Sequence, residues 1–486
     1  MGSSTSTPRA YRFADEASGL ILVGAIVFTP WAFGTTQDWS IGVMNTLGHA
    51  LGLLLLFKHW IRWQAGFEPP RWSDGPGRRW PVRLLAGLTL LLLGYVLVSA
   101  LNARGVILVT ADADVVDIEP LEAIEWLPHS QDQQTTLRAF WNYLAMALAF
   151  WAARDWVVGL SRRERRLPEL ERHTSASPPQ RLRVLAWTTV LSAAALSLVG
   201  TLQRLDGTPK LLFLFESRRG PEAMFGPFPY RGNAVDYLNL AWPIALALWW
   251  AMRRQWLRVS GHASRTGGGV HVLLLPLVGV IAFGVIVSLS RGGFLTLLAL
   301  MLVCTAILWG TGRLGRSTLI GVCIALVVAG GVGWSLGGEA LLQRLKAAQT
   351  DELSNRVTIY RTGERMVPDF APFGSGAETF GKLYGLYREG PSDSCAGYAH
   401  NDYLETRVTF GWVGSLLILL TLLTVPLCTR WGSGIPVGRT FVLLWMAALG
   451  GMLLHARFDM TFQIYSLHFL FLIVCAVLSC LSPSAD

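Results

Sequence analysis

The sequence predicts an all-α polytopic membrane protein, with about twelve transmembrane helices and one large extracytoplasmic loop domain of short helices. Three observations predict it. Only 15% of the residues are charged, against about 25% in soluble domains. The apolar residues, 52% of the chain, gather in blocks of roughly 18 or more, long enough to cross a hydrocarbon core about 30 Å thick. The chain also holds 20 Trp, a residue that concentrates at membrane–water interfaces.

Apolar length and loop punctuation place the spans at roughly 18–36, 41–60, 83–103, 138–158, 183–203, 233–252, 271–289, 293–311, 318–337, 411–429, 440–456 and 463–481. The domain expectation follows: 1–337 holds nine spans, 338–410 forms the loop domain, and 411–486 holds three more. The loops sort by sign. Lys58, Arg62, Arg71, Arg78, Arg79 and Arg83 follow the second span, and Arg162, Arg163, Arg165, Arg166, Arg172 and Arg181 follow the fourth. Arg253, Arg254, Arg258 and Arg265 follow the sixth, and Arg313 and Arg316 the eighth. Such alternate basic loops are expected to be cytoplasmic. The stretch after the third span is acidic instead, with Asp112, Asp114, Asp117, Glu119, Glu122 and Glu125, and is expected outside. Arg9 and Arg12 put the N-terminus inside, and an even count puts the C-terminus there too. The net charge of +9 is thus an orientation signal, and no nucleic-acid partner is expected. Met1 to Glu16 is polar, so the first apolar run is expected to stay as a helix rather than leave as a signal.

Other function classes lack their motifs. The six Cys include no CxxC pair, so neither a disulfide framework nor a zinc site is indicated. No GxxxxGK[ST] loop or HExxH helix occurs. The membrane carboxylates and broken-helix pairs of coupled transporters are sparse. Asp112-Ala113-Asp114 has a metal-binding spacing seen in some glycosyltransferases, but two carboxylates in an acidic loop are unspecific, and no metal or cofactor is expected.

Three stretches carry chemistry. Ser288-Leu289-Ser290-Arg291-Gly292-Gly293 splits two apolar runs. An Arg at membrane depth costs about 2.5–3.5 kcal/mol on insertion scales, and its planar fork suits phosphate. The plainer alternative is a turn whose Arg snorkels to the headgroups. Arg231, in Phe228 to Leu238, opens the sixth span, where a helix N-terminus favours anions, with Arg218 and Arg219 just upstream. Headgroup binding or a pair with Asp236 is the alternative. In the long polar segment, Arg356, Tyr360, Arg361 and Arg365 precede Gly374-Ser375-Gly376, and short amphipathic helices are expected at 341–346 and 379–387. His400 is the one imidazole there, followed by Asn401, Asp402 and Tyr403. An imidazole titrates near 6.5 when unperturbed and suits a general base, although a lone His is often structural. His455 and Asp459 flank the end of the eleventh span, as supporting or helix-end groups.

These stretches resemble the O-antigen ligase and polymerase superfamily of bacterial envelopes. Phe228 to Leu238 is similar to the family's Arg-before-a-span motif, with Tyr230 and Gly232 where Asn is usual. Ser288 to Gly293 is similar to its Ser-Arg-Gly motif, and Asp369 to Phe380 with His400 to Gly414 resembles its Pro/Gly stretch and His-Asn-x-Tyr-Leu segment. Leu453 to Asp459 with Phe462-Gln463-Ile464 resembles the C-terminal pattern. One departure is Thr409, which stands where the family often has Glu; Glu405 is the nearest acid that could take its place.

The resemblance implies a metal-independent glycosyltransferase in the bacterial inner membrane, multi-pass, with its active site on the periplasmic face. Its donor would be a glycan on polyprenyl (undecaprenyl) pyrophosphate, and its acceptor a lipid A-core sugar. The family's two essential arginines map onto Arg231 and Arg291, and its essential histidine onto His400. Arg356, Asn401, Asp402, Tyr403, Arg218 and Arg219 are expected to contact substrate, and Ser290 and Asp459 to stand behind the catalytic groups. A repeat-unit polymerase, a protein O-glycan ligase and a polysaccharide transporter remain the other readings.

Overall fold

Long apolar helices dominate the chain. The computed structural model describes residues 7–72, 79–109, 116–166, 178–216, 220–260, 269–311, 331, 352–388, 396–431 and 434–484. The helices are α1 (Arg9–Trp31), α2 (Asp38–Ala65), α3 (Trp80–Leu101), α4 (Gln133–Val157), α5 (Gln180–Asp206), α6 (Arg231–Ser260), α7 (Leu274–Val287), α8 (Arg291–Gly310), α9 (Glu352–Asp369), α10 (Phe380–Tyr387), α11 (Asp402–Trp431), α12 (Arg439–His455) and α13 (Tyr465–Leu478). Three small two-stranded sheets complete the list: β1 (Gly105–Val109) with β2 (Val116–Pro120), β3 (Lys210–Leu211) with β4 (Phe215–Glu216), and β5 (Ile435–Gly438) with β6 (Leu481–Ser484). The first pair is an antiparallel hairpin in the acidic stretch, in register Gly105 to Pro120.

Among the described residues, seven helices are long and apolar enough to cross a membrane, and α12 and α13 are shorter apolar helices. The chain is therefore a mostly helical, multi-pass membrane protein. The expected ninth span and the expected helix at 341–346 lie outside the described residues. The expected helix at 379–387 is α10, and α9 is a further helix in the polar segment.

Two helices of the bundle, α4 and α6, are less apolar than their neighbours for a reason. Helix α6 is buried without a break from Gly232 to Ala251. It runs against α5, α7, α8 and α12, and it carries Asn233, Asp236 and Asn239 in its buried length. Polar groups facing a bundle interior escape the lipid, so the central helix can hold them. Near the end of helix α4, Asp155 joins an ionic cluster, while Arg154 donates to Ser479 Oγ at 3.1 Å.

Helix α11 starts at Asp402, nine residues before the expected span, and is broken at Gly411 (φ +59°, ψ −167°), a backbone region open almost only to glycine. The break frees three carbonyls. Ser375 N donates to Val408 O (2.8 Å), Gly376 N to Thr409 O (3.0 Å), and the Tyr95 hydroxyl to Phe410 O (2.9 Å). The 370–379 segment thus plugs into the gap, and a Cβ on Gly374 would stand 2.4 Å from Thr409 O. Irregular backbone is tolerated in such a bundle when protein groups satisfy it this way.

At the other end, α1, α2, α4 and α5 are tied by charge. Asp155 receives Lys58 at 2.7 Å, Arg62 at 2.8 Å and Arg71 at 2.6 Å. Asp15 pairs with Arg181 and lies 3.4 Å from Lys58, whose side chain is fully buried. Removing one partner of a buried ionic group costs roughly 3–5 kcal/mol, because it strands the others. Asp155→Ala should therefore lower the thermal midpoint of purified, detergent-solubilised protein sharply, as followed by Trp fluorescence. Arg162→Ala, which removes only an exposed pair with Glu16, should leave it nearly unchanged. Equal small shifts in both variants would show that the cluster contributes little.

Candidate functional site

The opposite end gathers five separate segments: the turn before α6, the start of α8, the α9 helix, the turn before α11, and the turn between α12 and α13. Each is shaped by its sequence. Ser290 is the N-cap of α8, its hydroxyl accepting from Gly293 N at 3.3 Å. Ser288 O accepts from the Arg204 guanidinium at 3.2 Å. The two glycines that follow Arg291 are there for closeness. A Cβ on Gly293 would lie 1.9 Å from Val235 of α6, and one on Gly292 would lie 3.2 Å from His455 Nε2 of α12. Asn239 of α6 completes the seam by donating to Gly293 O at 3.0 Å. Arg291 is thereby held on the first turn of α8, beside α12.

His400 takes the left-handed backbone conformation (φ +50°), uncommon for a residue with a side chain. Its neighbours hold it there. The Tyr360 hydroxyl of α9 donates to His400 O at 2.9 Å, and Ala399 N donates to the buried Glu405 carboxylate at 2.7 Å. Asn401 Oδ1 accepts from Leu404 N at 3.3 Å and caps α11. Glu405 thus braces the turn that presents His400, while Thr409 only returns its hydroxyl to Glu405 O.

The imidazole then meets Asp459, in the turn after α12, with Nδ1 3.1 Å from Oδ1. The His400 side chain is 26% exposed and that of Asp459 only 6%. Asp459 is surrounded by donors. Oδ1 also accepts from Met460 N at 3.0 Å, and Oδ2 accepts from the Tyr230 hydroxyl at 3.1 Å. Arg356 of α9 donates to Tyr230 Oη at 3.2 Å and to Phe458 O at 2.6 Å. Burial pushes the Asp459 carboxyl up, but the His400 hydrogen bond and the nearby charges of His455 and Arg356 outweigh it, and the acid is held at about 2. Burial and Asp459 together push the Tyr230 phenol up, so it stays a neutral donor. An ionised Asp459 accepts from Nδ1–H, which leaves Nε2 of His400 as the acceptor nitrogen. In that tautomer Nε2 can accept a proton from a group placed against it.

The other expected site residues fall as follows. Arg231 begins α6 beside Tyr230, its guanidinium donating to Glu222 O at 2.6 Å. Asp236 does not complete the pair with Arg231 that the sequence allows: it lies 3.2 Å from His455 instead. Asp402 is buried and spends both oxygens on the 456–464 turn, accepting from Phe462 N at 2.9 Å and from Gln463 Nε2 at 3.3 Å. The Tyr403 hydroxyl donates to Leu453 O at 2.7 Å, tying α11 to α12. Arg218 and Arg219 lie outside the described residues. Sequence reasoning missed the part of Tyr230, which stands where the resemblance leads one to expect Asn, and the tie from Tyr360. Their only signal was that Tyr230 adjoins Arg231 and that Tyr360 lies four residues after Arg356 and beside Arg361.

An apolar cavity of about 200 Å³ opens between α3, α4, α11 and α13, lined among others by Leu92, Phe150, Phe410, Leu422 and Phe471. Gln463 also lines it, and this is the residue that donates to Asp402. The cavity therefore reaches the turn that carries Asp459.

No curated protein matches the chain. Residues 276–419 match the family model described as O-antigen ligase, so over this segment, which includes Ser290, Arg291, Arg356 and His400, the chain is similar to the O-antigen ligase superfamily.

Proposed function

We propose that the chain moves a glycan from polyprenyl (undecaprenyl) pyrophosphate to a hydroxyl of a lipid A-core sugar, at the periplasmic face of the inner membrane. The observation that carries this reading is the His400–Asp459 pair, with Nδ1 fixed at 3.1 Å from the carboxylate and the ring partly open to solvent. The donor is already activated, so displacement needs a base for the acceptor and cations for the leaving group. In this reading, His400 Nε2 takes the hydroxyl proton as the acceptor oxygen bonds to the anomeric carbon. The bond from that carbon to the pyrophosphate oxygen breaks, and the charge leaves on the polyprenyl pyrophosphate. Arg291 and Arg231, each on the first turn of its helix, stabilise that charge together with the helix N-termini. One direct displacement inverts the anomeric centre. The apolar cavity beside the site suits a lipid-borne donor. The buried cation cluster of Lys58, Arg62, Arg71 and Arg181 at the far end supports an extracytoplasmic site by the positive-inside rule.

A polymerase shares the donor chemistry, so the acceptor separates the readings. Purified protein should form product from lipid-linked glycan only when lipid A-core is added. A ladder growing on the carrier lipid without it would make the chain a polymerase. Transfer to a polypeptide would make it a protein O-glycan ligase. Intact donor in every arm, with glycan crossing a vesicle membrane, would make it a transporter.

His400→Ala should slow transfer about 10²–10⁴-fold with donor still present in the membrane, as general base removal does; undiminished transfer would put the base elsewhere. Arg291→Ala should cost about 10²–10³-fold in turnover, measured by donor consumption in a protein of unchanged thermal midpoint.

Asp459 gives a pH test. Its folded value, about 2, lies below the ordinary value of 3.8, so the stability it confers is present above about pH 4 and is lost as pH falls through 2. Below about pH 4 the gap in thermal midpoint between the wild-type protein and Asp459→Asn reads the ionisation of this carboxylate. It should narrow on further acidification; a gap independent of pH down to about 2.5 would contradict the ionised role.

A further inference from the structure

Behind Asp459 lies a second carboxylate–imidazole pair that the displacement does not touch. His455 ends α12, and its Nδ1 stands 3.2 Å from Asp236 Oδ1 of α6. Its Nε2 stands 4.0 Å from Asp459 Oδ2, so one ring is set between two carboxylates. The side chains of His455 and Asp236 are each 1% exposed. Neither oxygen of Asp236 and neither nitrogen of His455 has an in-line hydrogen-bond partner among the described residues. Gly292 of α8, next to Arg291, seats directly against the ring. Among the described residues, Arg356 of α9 acts on the ring through space, Arg291 precedes the Gly292 that faces it, and Asp402 at the head of α11 binds Ala456 O, next to His455, through its backbone N–H. Toward His400 the order is Asp236, His455, Asp459, His400.

We propose that His455 is a positioning residue, an imidazolium held between Asp236 and Asp459 that fixes the charge and aim of Asp459 and so the basicity of His400. The inference rests on the reading of His400 as the base. Two buried carboxylates without a cation between them would carry an uncompensated charge, which is costly away from water. An imidazolium answers both, with Nδ1–H facing Asp236 and Nε2–H facing Asp459. Arg356 adds positive charge at Asp459 from the α9 side, whereas the His455 ring is the group set between Asp459 and Asp236. The sign of the effect follows. Without the charge on His455 the field at His400 is more negative, and His400 keeps its own proton to higher pH.

The test reads His400 directly, without glycan transfer. Carbethoxylation of His400 by diethylpyrocarbonate, followed by mass spectrometry across pH 5 to 9, tracks its neutral form. In His455→Gln the midpoint should rise by about one unit, which makes modification about tenfold slower on the acid side. Asp236→Asn should move it the same way by less, since the ring then releases its proton. Folding is checked by gel filtration and thermal midpoint. An unmoved midpoint in a folded His455→Gln protein overturns the proposal. Should neither variant fold, the wild-type protein decides. Histidine labelled with ¹⁵N in lipid nanodiscs should show at pH 7.5 one ring with both nitrogens protonated, and the absence of any such ring overturns the proposal. If the midpoint moves as expected while wild-type protein transfers no glycan to any acceptor, the functional reading fails and the coupling stands.

Discussion

A carboxylate taken out of water must collect donors or lose its charge, and Asp459 collects them from across the molecule. One comes from the turn before α11 (His400), one from the turn before α6 (Tyr230), and one from its own turn (Met460 N). Arg356 of α9 then braces both Tyr230 and the carbonyl next to Asp459. Four segments distant in sequence therefore share one anion. The left-handed backbone at His400 is the geometric consequence, because that turn must aim a ring at the acid while α11 starts two residues later. Tyr360, Glu405 and Asn401 each spend a hydrogen bond on that turn.

The break in α11 serves the same end of the bundle. An unbroken helix would keep its carbonyls to itself and leave Ser375 N and Gly376 N without these acceptors. Gly411 opens the ladder, and Ser375 N, Gly376 N and the Tyr95 hydroxyl close it again. Gly376 itself seats against Ser130 and Thr136, so the region before α4 is drawn into the same junction. The polar segment is consequently anchored to the helices at backbone level, which gives α9 and its Arg356 a fixed place over Asp459.

Much of this was legible in the residues. Apolar length and punctuation located the long helices because burial in lipid leaves a composition signal that needs no partner. The Ser-Leu-Ser-Arg-Gly-Gly stretch was legible because polar groups between apolar runs are costly, and the described geometry explains its glycines by contact with α6 and α12. The partners of His400 were only half legible. Asp459 could be named as support, but for Asp236 the sequence offered only a pair with Arg231, five residues away on the same helix, as an alternative to headgroup binding. Residues five apart do not face each other on a helix, whereas Asp236 faces α12 across the bundle. Such pairings depend on which helices touch, and local spacing does not encode that. The same limit hid Tyr230 and Tyr360, whose hydroxyls act at distances of 229 and 40 residues along the chain.

Helix α6 explains why a protein this apolar can hold so much polarity at its centre. Its buried length is wrapped by α5, α7, α8 and α12, so Asn233, Asp236 and Asn239 never meet lipid tails. Asn239 holds α8 by the Gly293 carbonyl, and Asp236 faces α12 at His455. One helix thus sets the two neighbours that carry Arg291 and Asp459. The polarity that lowers its hydropathy is the means by which it registers them. A more apolar α6 would still fill the core, but it would leave α8 and α12 free to slide against it, and the arginine and the acid would lose their fixed separation.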